Sequence, residues 1–133
     1  MWVSALKTGL QVYDPVAGSW VMGPIDVGGA PYFGDFSADG SLFVVPVQGN
    51  PDALVFVNTA DGTVDQSLAL PDEACELPHG ALFTPDETRV LVVCEGNHVT
   101  AGTVAVVTTA PRAVEAYHTV GVFPDDLVWV EGQ

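Results

Sequence analysis

The sequence predicts an all-β fold made of β-propeller blades, four-stranded antiparallel meanders, two of them complete and one divided between the two ends of the chain. Three observations predict it. A unit recurs along the chain at a nearly constant step, turn chemistry interrupts the chain every few residues, and no stretch keeps apolar residues at helical spacing over two turns.

The clearest pair of copies sets Pro31-Tyr32-Phe33-Gly34-Asp35-Phe36-Ser37-Ala38-Asp39-Gly40 against Pro78-His79-Gly80-Ala81-Leu82-Phe83-Thr84-Pro85-Asp86-Glu87, an offset of 47 residues. The register persists through Phe43-Val44-Val45 against Val90-Leu91-Val92, and through Gln48-Gly49-Asn50 against Glu95-Gly96-Asn97. A third copy of the opening element begins at Pro124 with Asp125-Asp126-Leu127-Val128-Trp129-Val130, 46 residues after Pro78. At the other end, Leu10 to Pro15 aligns with Leu54 to Thr59 and with Val104 to Thr109, so the first residues enter mid-repeat. The division is a partial blade over 1–30, blades over 31–77 and 78–123, and over 124–133 the first strand of a further or shared blade.

Within 31–77 the strands are expected at Phe33 to Ser37, Leu42 to Val47, Leu54 to Asn58 and Val64 to Leu70. Between them stand the turn signals Ala38-Asp39-Gly40, Gly49-Asn50-Pro51-Asp52 and Asp61-Gly62. Fourteen Gly and ten Pro across the chain leave little room for helix. The aromatic residues Trp2, Trp20, Trp129, Phe36, Phe43, Phe56 and Phe83 fall mainly at alternating positions and are assigned to packing between blades.

Composition narrows the partners. Hydrophobic residues make up 48% of the chain, which is too apolar for disorder, yet no apolar run reaches the roughly 20 residues of a membrane span. Three Lys and Arg against 17 Asp and Glu give a formal charge of −14, a field that repels phosphate backbones and anionic lipid headgroups. Nucleic acid and membrane are therefore set aside as partners. A cation or a basic protein fits, as does plain solubility. Trp2 to Leu6 lacks the basic start and apolar stretch of a secretory signal.

Ser37-Ala38-Asp39-Gly40, Thr84-Pro85-Asp86-Glu87 and Val12-Tyr13-Asp14 carry a resemblance to the YVTN-repeat, lactonase-like β-propeller family, over nearly the whole chain. Those residues make turns and strand pairs, so the resemblance implies architecture and transfers no activity, the family holding lactonases, metal enzymes and plain surface proteins alike. Leu91-Val92-Val93-Cys94 departs from the Tyr-Val-Thr-Asn strand, Glu87 replaces the turn Gly, and an extra loop, Asp72-Glu73-Ala74-Cys75, precedes Pro78. Propellers close with roughly four to eight blades, so another copy of the chain or the remainder of a longer propeller is expected to complete the ring.

Cys75 and Cys94 are the two cysteines. A hairpin centred near Asp86 brings Cys94 close to where Cys75 enters, and three readings follow: a disulfide, two ordinary thiols, or a metal site. The metal reading rests on Cys75-x-x-x-His79 and Cys94-x-x-x-His98, whose four side chains would suit Zn or another divalent cation. A disulfide would point to an oxidising, extracellular or periplasmic setting.

The residue after each opening Pro is expected near one mouth of a central channel: Tyr32, His79 and Asp125, with Asp126 and Asp35 nearby. Such a set can bind a cation or work as acid and base on a small ester or lactone, and it also suits an ordinary wet rim. No nucleophile elbow, phosphate loop, dinucleotide fingerprint or zinc-protease pattern occurs. The expected function is a non-enzymatic binding or scaffold module presenting loops and a channel mouth to a protein, glycan or ion. The alternative is a lactonase-like hydrolase or a metal-dependent enzyme that uses the His and Asp rim.

Overall fold

A computed structural model describes residues 1–130 and is all-β, with twelve strands in three antiparallel sheets and no helix among the described residues. The first sheet is β1 (Trp2–Ala5), β2 (Gly9–Asp14) and β3 (Ser19–Ile25), in that order. The second holds β4 (Gly29–Pro31) and β5 (Asp35–Phe36) along one edge of β6 (Leu42–Gly49), followed by β7 (Ala53–Asn58) and β8 (Val64–Ala69). The third is the meander β9 (Pro78–Phe83), β10 (Arg89–Cys94), β11 (Ala101–Thr109) and β12 (Arg112–Val122).

The sheets lie face to face in chain order, and two cores fill the gaps. Between the second and third sheets pack Val44, Leu54, Phe56, Leu70, Phe83, Val90, Val92 and Val107. Between the first and second pack Leu10, Phe43, Val45, Val47, Val55 and Val57, with Trp2 against them. Successive strand residues point to opposite faces, so the middle sheet is buried on both. That is why β6 and β7 read as unbroken apolar runs, Leu-Phe-Val-Val-Pro-Val and Ala-Leu-Val-Phe-Val, where a strand with one wet face would alternate.

Polar ties cross between the second and third sheets at the repeat spacing. Glu87 stands where the first copy has Gly40, adopts a positive φ of 54°, and accepts from the Ala38 N–H of the neighbouring turn at 2.5 Å. Arg112 lies 17% exposed over the Phe56 ring, 4.3 Å from its centre, and pairs with Asp65 at 2.6 Å.

Two expectations change, on the strand at Phe33 to Ser37 and on the exposure of the aromatic residues. The strand expected at Phe33 to Ser37 is cut down to β5, because the backbone at Phe33 turns its hydrogen bonds sideways: its N–H donates to the His79 carbonyl at 3.0 Å and its carbonyl accepts from Ala81 N–H at 2.8 Å. Residues 124–130 join no sheet, and Glu131, the last residue of the strand expected there, lies outside the described residues, as does the rest of 131–133. Of the aromatic residues assigned to the core, Phe43, Phe56 and Phe83 are buried, whereas Trp20, Phe36 and Trp129 are 57%, 41% and 47% exposed.

Candidate binding site at the inner rim

The sheets bring their first segments together along one edge of the stack. Phe33 forms a parallel bridge with Gly80, so the second and third sheets are joined there by backbone bonds. One repeat later the chain comes back along the same edge: the Asp125 carbonyl stands 2.9 Å from His79 Nδ1. Glycines permit this approach. A Cβ on Gly80 would stand 3.3 Å from Asp126 Oδ1, and one on Gly102 would stand 2.6 Å from Cδ of Pro124.

His79 is the centre of the group. Its side chain is 14% exposed and touches two aromatic rings, Tyr32 at 4.7 Å and, edge-on, Phe33 at 5.1 Å between centroids. A carbonyl oxygen only accepts, so the contact with Asp125 requires the proton on Nδ1. The same nitrogen lies 3.4 Å from Glu95 Oε1 and 3.3 Å from Asp125 Oδ1.

Glu95 is held from both sides. It follows directly on β10, and its N–H donates to the Leu77 carbonyl at 3.1 Å. Its side chain is only 9% exposed, and a buried carboxylate needs partners to offset lost hydration. His79 faces one oxygen, and His98 Nε2 lies 2.9 Å from the other, Oε2. His98 is set by its turn, in which the Asn97 side chain accepts from Val99 N–H at 3.0 Å and Thr100 N–H at 2.9 Å. The His98 ring also stacks 4.0 Å from that of Phe123.

One atom each from His79, Glu95 and Asp125 lies within 4.8 Å of the other two. Two carboxylates facing an imidazole can share a proton or hold a cation. In a chain of formal charge −14, cations are attracted and anions repelled.

The structure sets the Tyr32 ring and the Asp125 carbonyl against His79. Asp126 sits beside Gly80 and accepts from Leu127 N–H at 2.7 Å. Asp35 serves elsewhere: one oxygen accepts from Phe36 N–H at 2.9 Å and the other from Phe83 N–H at 3.0 Å, which ties the second sheet to the third. Cys75 and Cys94 form a disulfide with both residues fully buried. The Cys75, His79, Cys94, His98 set is thus without thiolates to offer a metal, and its two histidines meet at Glu95 instead. His118 is exposed on β12 at the outer edge of the third sheet.

Sequence reasoning missed Glu95. Its alignment with Gln48 placed it at a position where the earlier copy reaches the same edge, since Gln48 Nε2 donates to the Pro78 carbonyl at 3.4 Å. Asp52 was missed as well and is structural, its oxygens accepting from Gly49 N–H at 2.8 Å and Leu77 N–H at 3.1 Å. No protein-family model matches this chain, and no curated protein matches it.

Proposed function

We propose that this chain is a segment of a YVTN-type, lactonase-like β-propeller that works as a non-enzymatic binding module, its three sheets being successive blades. One observation carries the reading. In the middle sheet, the face toward the third sheet is closed over Val44, Leu54 and Phe56. In the third sheet the corresponding face, bearing Leu91, Val104 and Val106, is only half-buried. Equivalent apolar positions ask for equivalent cover, and a further blade supplies it.

The opposite end of the stack offers a matching surface. Val3, Gln11 and Tyr13 of the first sheet are half-buried at positions that correspond to the fully buried Val45, Val55 and Val57 of the second. A groove of about 300 Å³, lined by Trp2, Ser4, Tyr32, Phe33, Phe36 and Phe43, runs where the innermost strand of the first blade belongs. In the repeat register, the 124–130 pattern fits that place, contributed by another copy of the chain or by the remainder of a longer propeller. Ring closure would set the Tyr32, His79 and Asp125 rim around a channel mouth, open to a protein, glycan or ion. The disulfide suits an extracellular or periplasmic setting.

A second reading, a lactonase-like hydrolase, draws on the imidazole between two carboxylates, a set capable of acid and base work. Assays on simple lactones, with and without added divalent metal, separate the two. The binding module gives no turnover above the uncatalysed rate. Saturable turnover that His79→Ala abolishes would replace it with the enzyme.

A further inference from the structure

We propose that His79 Nδ1, Glu95 Oε1 and Asp125 Oδ1 form a binding site for a divalent cation of the zinc class, with Glu95 positioned for it by His98. The inference deepens the binding-module reading by naming the ion taken at its rim, and its geometry holds whether or not the stack closes into a ring.

The distances suit such an ion. Bonds of about 2.0–2.2 Å in tetrahedral array put neighbouring ligand atoms about 3.3–3.6 Å apart. Nδ1 lies 3.4 Å from Oε1 and 3.3 Å from Oδ1. The two carboxylates lie within 4.8 Å of each other, and the Asp125 side chain, 68% exposed, is free to close the remaining gap by rotation. An imidazole among carboxylate oxygens favours zinc-class ions over calcium, which prefers oxygen alone.

The surroundings suit it too. Glu95 and His79 are fixed before any ion arrives, one by burial and by His98, the other by the Tyr32 and Phe33 rings. A carboxylate that offers one oxygen to an ion while a histidine holds the other is the outer-shell arrangement that orients metal ligands. On binding, the ion takes the Nδ1 lone pair and the Nδ1 proton leaves, either to Nε2 or to solvent. Asp125 comes from the 124–130 segment, His79 from β9 and Glu95 from the residue directly after β10, so the ion would also fasten that segment to the third sheet.

The test is calorimetric titration of the chelator-stripped chain with Zn²⁺. Expected is one Zn²⁺ per chain, no displacement by excess Ca²⁺, and, on Co²⁺ substitution, visible bands strongly intensified and shifted to longer wavelength relative to the aqua ion, the signature of tetrahedral coordination. His79→Asn and Glu95→Gln should each weaken binding at least about tenfold, and His98→Gln by about 10- to 100-fold, the cost of losing an outer-shell partner. His118→Ala, which removes an exposed histidine elsewhere, should change nothing. Near-ultraviolet circular dichroism confirms that each variant is folded; should Glu95→Gln unfold, Asp125→Asn at the exposed ligand carries the same test. Wild-type affinity in folded His79→Asn or Asp125→Asn, or binding that disappears in His118→Ala, overturns the proposal.

Discussion

At the scale of the residue, exposed aspartates in the turns set how stability depends on pH. Asp14, Asp39, Asp61 and Asp86 all have carboxyls held below the ordinary value. For Asp14 the main cause is the Ala17 N–H, for Asp39 the Ser41 N–H, for Asp61 the Thr63 N–H, and for Asp86 the Thr84 hydroxyl. A carboxyl lowered on folding adds stability above its unfolded value, and that stability is lost as pH falls through the unfolded value to the folded one. Urea midpoints measured downward from neutrality should therefore drop from about pH 4, and Asp39→Asn with Asp86→Asn should shallow the drop. A midpoint flat into strong acid would contradict this. Asp39, Asp61 and Asp86 were legible from Asp-Gly and Pro-Asp signals, whereas Asp14 was read as part of a strand. Glu95 was not legible, because its burial depends on the loop before β9 and the turn after β10 meeting across the sheet.

Among the elements, the loop before β9 is the part that departs most from the repeat, and the Cys75–Cys94 disulfide fastens it to the end of β10. The sequence separation of 19 residues places its contribution at about 3 kcal/mol in a chain-entropy estimate. The double variant Cys75→Ala, Cys94→Ala should lose about that much in urea unfolding, and a loss below about 1 kcal/mol would mean the bond does not constrain the loop. The pairing was foreseeable because hairpin register alone sets Cys94 opposite Pro78, three residues from Cys75. The shortening of the expected Phe33 to Ser37 strand was hidden, since an apolar pattern does not reveal that Phe33 spends its backbone bonds on the next sheet. Likewise, alternation placed Trp20 and Phe36 on a face but could not tell which faces acquire a neighbour.

For the whole molecule, the turn signals and the absence of helical spacing foretold antiparallel β structure, and the structure has three antiparallel sheets; which sheet is covered on both faces was not read from the sequence, although the unbroken apolar runs of its strands carried that signal. The doubly apolar β6 and β7 became the middle layer. Whether the outer layers meet partners depends on surfaces beyond one chain, which periodicity does not encode. The account requires cover over Leu91, Val104 and Val106, half-buried here at positions whose counterparts in the middle sheet are closed. Molar mass in solution tests this most directly, comparing the wild type with Leu91→Asp, a charge placed on that face. Successive-blade stacking predicts an assembly of at least two chains for the wild type and a folded species of lower mass for the variant. A compact wild-type monomer, with a mass that Leu91→Asp leaves unchanged, would contradict it.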